Sequence, residues 1–175
     1  MGKLTGKKVL MILAPKDFRD EEFFKTRVAL QAAGAELLTA AKGVEEATGV
    51  FGGKAKVDVD LNKIDPKDYT ALVFVGGPGA QVYFKDKQVL TLVQQAVEQK
   101  KVLGAICIAP SILANAGVLK GKKVTSFPSE EKNLVKAGAQ YTGRPVEVDG
   151  RLVTANGPEA AEAFGEKLVE VLEKI

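Results

Sequence analysis

A chain of 175 residues, 46% of them hydrophobic, is long enough to bury a sizeable core and reads as one domain over residues 1–175. Its net charge of +3, with lysines scattered among glutamates, excludes an electrostatically driven nucleic-acid binder. It has no histidine and one cysteine, which rules out a Ser-His-Asp triad, a Cys-His dyad, an HExxH zinc site and an internal disulfide.

No segment is apolar for long enough to cross a bilayer, and no apolar leader pattern lies near the start. The expectation is therefore no membrane partner and a reducing, cytoplasmic setting. High Lys and Glu content without Trp is a composition expected of a thermophile.

In chain order, the apolar run at 8–13 predicts a first buried strand. The loop at 14–19 leads into Asp20-Glu21-Glu22, an acidic first turn that suits a helix dipole. The helix it opens has Phe24, Val28 and Leu30 on its apolar face and stops at Gly34. Residues 36–40 read as a second strand. Residues 43–60 carry no helical period, and Lys56-Val57-Asp58-Val59-Asp60 alternates like a half-exposed strand or hairpin arm. Residues 65–68 form a turn or a single helical turn. A buried strand follows at 71–75, closed by Gly76-Gly77-Pro78-Gly79.

Val89, Leu92, Val93, Ala96 and Val97 set a helical period over 88–100. Tyr83 and Phe84, just before it, fit either a subunit contact or the core. Residues 122–126 read as a short strand, and Ser129 opens a helix that ends at Ala137-Gly138. Residues 146–154 form two strands around Asp149-Gly150, a strong hairpin signal. Asn156-Gly157-Pro158 then leads a last helix through Ala161, Phe164, Leu168 and Leu172. Strands alternating with helices argue for an α/β fold with one mainly parallel sheet covered on both faces.

The stretch 102–110 (VLGAICIAP) is the most informative. An apolar run ends at Cys107, and a helical pattern resumes with Ser111-Ile112-Leu113-Ala114. This reads as strand, sharp turn and helix, with the thiol at the carboxyl end of a sheet strand. Main-chain N–H groups and the helix dipole at that turn favour thiolate, so Cys107 is expected to be an ionised nucleophile. The alternative is a small buried filler. Three strand-to-helix junctions, 18–22, 76–79 and Cys107, face one sheet edge and can share a pocket. Glu22 is the best carboxylate there, with Asp20 and Glu21 as competitors. Next to a thiolate it is pushed towards its protonated form and can serve as general acid and base. The uncovered N–H groups of Gly76-Gly77-Pro78-Gly79 can hold an oxyanion. The run is neither a Walker loop nor GxGxxG, so no nucleotide cofactor is expected.

Four motifs then combine. Ala105-Ile106-Cys107-Ile108-Ala109-Pro110 resembles the nucleophile elbow of the DJ-1/PfpI family. Val75-Gly76-Gly77-Pro78-Gly79-Ala80, Phe18-Arg19-Asp20-Glu21-Glu22 and Thr154-Ala155-Asn156-Gly157-Pro158 resemble three further family segments, in the family's order. The resemblance implies a flavodoxin-like three-layer α/β sandwich and a homodimer or higher homo-oligomer. It implies Cys107 as nucleophile, Glu22 as its protonated partner, and the Gly77 and Ile108 N–H groups as oxyanion donors. Gly76, Phe18, Phe127, Gly157 and Pro158 are the expected pocket residues. Many family members carry histidine where this chain has Ile108, and some a second one where it has Phe127. A peptidase reading therefore lacks its base.

What the resemblance leaves is a two-residue Cys-Glu site acting on a small-molecule carbonyl substrate, glyoxalase- or deglycase-like, with no metal and no organic cofactor. The rival is a stress-linked redox sensor whose cysteine oxidises to sulfinate.

Overall fold

The structure, a computed structural model, describes residues 2–175. In chain order the elements are β1 (Lys8–Ile12), β2 (Lys16–Phe18), α1 (Asp20–Ala32), β3 (Glu36–Ala41), β4 (Glu46–Gly49), β5 (Lys54–Lys56) and β6 (Val59–Asp60). There follow β7 (Ala71–Phe74), α2 (Lys87–Glu98), β8 (Val102–Ile106), α3 (Pro110–Asn115), β9 (Lys123–Val124) and α4 (Glu131–Lys136). The chain closes with β10 (Gln140–Tyr141), β11 (Val146–Asp149), β12 (Leu152–Ala155) and α5 (Ala161–Glu173).

Seven strands form one sheet in the order β11-β12-β8-β7-β1-β3-β6. All pairings are parallel except β11 with β12. Alternation along each strand feeds two cores. Val9 and Met11 pack with Phe23, Phe164 and Leu168 on one side, whereas Leu10 and Ile12 pack with Val89, Val93 and Leu113 on the other. Helices thus cover both faces, and for that reason β7, β8 and all of β1 after the half-buried Lys8 carry no polar side chain.

The direction in which strands are added to the sheet reverses between the parallel neighbours β1 and β7. From β1 the sheet grows through β3 on one side, and from β7 through β8 and β12 on the other. A crevice opens at the carboxyl ends of strands where the order switches. The loops after β1, β7 and β8 all end at that edge on neighbouring strands, so residues far apart in sequence meet there.

Several elements depart from the sequence reading. A separate three-stranded sheet, β2-β4-β5, takes up part of the loop at 14–19 and of the stretch at 43–60 that has no helical period. Lys54–Lys56 pairs with Glu46–Gly49, while Val59–Asp60 becomes an edge of the main sheet beside β3. These strands are too short and glycine-flanked to show a period. In α1 the buried face is Glu22, Phe23, Thr26 and Leu30, and Val28 is 64% exposed. Two polar residues face inward, so an apolar period picks the wrong stripe. Tyr83 belongs to the core, its hydroxyl donating to the Leu13 carbonyl at 2.7 Å. Among the described residues, no helix is long and apolar enough to cross a membrane.

Candidate active site

Cys107 follows directly on β8 and adopts φ +67°, a left-handed conformation that is strained for a residue with a side chain. Hydrogen bonds on both sides hold it. Its N–H donates to the Ala155 carbonyl at 2.9 Å, and its carbonyl accepts from the Phe127 N–H at 2.8 Å. The first ties the elbow to β12 and the second ties it to the loop after β9. This is the geometry of a nucleophile elbow, with the side chain lifted off the end of the strand.

Glu22 lies in the first turn of α1 and is fully buried. Its Oε1 accepts from the Gly76 N–H at 3.0 Å. Its Oε2 has no oxygen or nitrogen partner among the described residues, and the carboxyl contacts the Cys107 thiol. The Gly77 and Ile108 N–H groups bear on the same sulfur. The Arg19 N–H donates to the Gly76 carbonyl at 2.9 Å, which binds the start of α1 to the glycine loop.

Gly76 sits under the pair rather than on a pocket wall. A Cβ there would come 2.6 Å from the Cys107 Cβ and 2.6 Å from Glu22 Oε1. Gly76→Ala is therefore expected to push the pair apart and to cost about 1–3 kcal/mol of stability, read from urea unfolding. Gly77, at φ +98°, lies so close to the Asp17–Arg19 backbone that any side chain would collide with it.

The electrostatics correct one expectation. Burial pushes the Cys107 thiol up to about 12, and the charge of Glu22 adds to the rise. The Gly77 and Ile108 N–H groups oppose this without overcoming it. The donors of the turn by themselves therefore do not set the charge of the thiol, which depends on burial and on Glu22 beside it. Cys107 as a residue is only 7% exposed, and α3 is a six-residue helix with little dipole to offer. Burial likewise raises the Glu22 carboxyl to about 7, against the pull of Cys107, the Gly76 N–H and the Arg19 charge. The two titrate as a pair. Between about 7 and about 12 they hold one proton and one negative charge in common.

The three neighbouring acids have separate tasks. Asp20 Oδ1 and Oδ2 accept from the Phe51 and Gly53 N–H groups at 2.9 and 2.8 Å, pinning the β4–β5 turn. Glu21 pairs with Arg19. Glu22 alone turns inward to the sulfur.

A cavity of about 510 Å³ is lined by Arg19, Glu21, Lys25, Phe127, Pro128, Asn156, Gly157, Pro158 and Glu159. Of the expected pocket residues, Phe127, Gly157 and Pro158 meet there. Phe18 does not. It is fully buried and packs edge-on against Phe23 with centroids 5.5 Å apart. Its apolar bulk is spent on the core under α1. Cys107 and Glu22 do not line it, but Cys107 adjoins it through the Phe127 N–H on its carbonyl, and Glu22 through Arg19 and Glu21 of the same turn. Sequence reasoning missed Arg19 and Asn156. A lone arginine heading an acidic helix turn was the available signal for the first. Asn156 carried none beyond the helix-entry run that contains it.

The family model described as the DJ-1/PfpI family matches residues 7–171. An uncharacterized protein of Methanocaldococcus jannaschii is 41% identical over 98% of this chain and 85% of its own length. A protein of Pyrococcus horikoshii named a deglycase is 30% identical over 93% of this chain and 98% of its own. A protein of Caenorhabditis elegans named a glutathione-independent glyoxalase is 28% identical over 95% and 89%. The crystal structure of a ThiJ/PfpI domain protein from Brachyspira murdochii superposes with a TM-score of 0.94, at 28% identity over 97% of this chain and 99% of that one. Matched in sequence from β1 to α5 and in architecture across its length, the chain belongs to the DJ-1/PfpI family.

Proposed function

We propose that this protein is a glyoxalase- or deglycase-type enzyme in which Cys107 and Glu22 convert small reactive carbonyl compounds. The names of its relatives support a deglycase- or glyoxalase-type role at the level of the family. The observation that carries the assignment to these residues is the buried Glu22 carboxyl held against the only thiol in the chain.

In the proposed reaction Sγ attacks the aldehyde carbon of methylglyoxal. The S–C bond forms as the carbonyl π bond breaks, and the oxygen takes up the proton the pair holds. The Gly77 and Ile108 N–H groups stabilise the developing charge. Glu22 as carboxylate then removes the proton from the former aldehyde carbon and returns it to the neighbouring carbon, while the hydroxyl proton on the first oxygen passes to the second, so that the first becomes the thioester carbonyl. The product is a thioester of lactate, which water hydrolyses to lactate and free thiol. No oxidant or reductant enters. A buried cysteine, 7% exposed as a residue, suits a small aldehyde better than a polypeptide, and a peptidase reading also lacks its imidazole.

The test is lactate formation from methylglyoxal by purified protein, followed enzymatically beside a protein-free control. Stoichiometric turnover well above one per subunit supports the reading. Absence of turnover, together with clean addition of two oxygens to Cys107 under mild peroxide, overturns it in favour of oxidation sensing.

A further inference from the structure

The cavity in front of the elbow carries a guanidinium fixed from two sides. Arg19 Nε donates to Glu21 Oε1 at 3.1 Å, and Nη2 donates to Glu21 Oε2 at 2.9 Å. Its face lies on the Phe51 ring, 4.7 Å from the centroid. Phe51 is itself fixed through its N–H on Asp20. The Arg19 backbone is tied to Gly76, directly beneath the reacting pair. With one edge and one face taken, Nη1 has no hydrogen-bond partner among the described residues. A guanidinium held in this way has little rotamer freedom left to lose, and its open edge matches a carboxylate. Gly76 joins the two ends of the site, its carbonyl taking the Arg19 N–H at 2.9 Å and its α-carbon lying against Cys107 and Glu22. Lys25 adds a second cation to the same lining and Asn156 an amide, whereas Glu21 is already paired and Glu159 is the remaining anion.

We propose that Arg19 sets substrate specificity. Its open edge binds the carboxylate of an anionic aldehyde or 2-oxo aldehyde while Cys107 adds to the carbonyl carbon. The inference rests on Cys107 being the nucleophile. In the adduct the S–C bond forms, the carbonyl π bond breaks, and the proton of the pair goes to the oxygen, with no change of oxidation state overall. A neutral dicarbonyl gains nothing from Arg19 and is the poorer ligand.

A pair of alkylating agents tests this without requiring turnover. Iodoacetate and iodoacetamide form the same S–C bond and lose the same iodide, but only the first carries a carboxylate. Cys107 is the only cysteine, so intact mass reads its modification directly. Relative to a free thiol such as N-acetylcysteine, the protein is expected to favour iodoacetate over iodoacetamide by about tenfold, the effect of one charge-assisted hydrogen bond. Arg19→Gln is expected to return that ratio to the free-thiol value. Arg19→Lys, which keeps the charge and loses the fork, should fall between. Glyoxylate should also protect Cys107 at about tenfold lower concentration than glycolaldehyde, and Arg19→Gln should remove that advantage. A wild-type ratio equal to that of the free thiol, or one that Arg19→Gln leaves unmoved, overturns the role of Arg19 and leaves the thiol chemistry standing. Failure of both reagents to modify Cys107 overturns the nucleophile and this inference together.

Discussion

Cys107→Ala protein is expected to consume methylglyoxal no faster than buffer does, a loss of at least about 10³-fold in kcat/KM. The chain has no second thiol and no histidine, so no other residue can take over the covalent step. The change is small in structural terms. Alanine keeps the same backbone bonds, its N–H donating to the Ala155 carbonyl and its carbonyl accepting from the Phe127 N–H, and loss of one buried sulfur costs about 1 kcal/mol. A thermal midpoint within a few degrees of wild type, measured beside the rate, separates lost chemistry from lost folding. Retained lactate formation in this variant would dismiss the mechanism.

Glu22→Gln is expected to lower kcat by about 10²–10⁴-fold, the range for removing a positioned proton-transfer group. The amide oxygen can still accept the Gly76 N–H, so the glycine loop keeps its place. What disappears is a group that can hold a proton and give it up. Wild-type kcat/KM should accordingly rise with pH through about 7, where the pair loses its first proton, and the variant should lose that step.

The same carboxyl leaves a mark on stability. It titrates near 4.5 in the unfolded chain and at about 7 in the fold, so the folded state holds the extra proton between those values. Its contribution is therefore complete below pH 4.5 and is lost as pH rises through about 7. The size is roughly 3 kcal/mol. Urea midpoints at pH 5 and pH 8 should differ more in wild type than in Glu22→Gln, and the variant should be the more stable of the two at pH 8.

Periodicity carried most of the architecture. The runs at 8–13, 71–75 and 102–106 are apolar because they are buried on both faces, and composition records that directly. The helix at α5 was equally plain, with Phe164, Leu168 and Leu172 four residues apart and all buried. By contrast, α1 buries a glutamate and a threonine for the sake of the site and its packing. An apolar period cannot show a stripe that is partly polar.

Within the site, the sharp turn at Cys107 was legible because strand, bend and helix signals follow one another within a few residues. The bend needed the thiol at φ +67°, and the sequence around it announces such a turn. The partition of labour among Asp20, Glu21 and Glu22 was not legible. One pins a hairpin tip some thirty residues on, one pairs with a neighbour, and one reaches Gly76 across 54 residues.

The amino-acid sequence by itself determined the layered α/β architecture, the elbow and the absence of any imidazole chemistry, since these depend on local order and on which residue types are present. Only the tertiary structure decided that burial pushes the thiol up and couples it to Glu22, that Phe18 serves the core, and that Arg19 presents an open edge. Those outcomes come from burial and from partners distant along the chain. Desolvation and charge act through space, so they are set only when β1, β7 and β8 bring their loops to one edge.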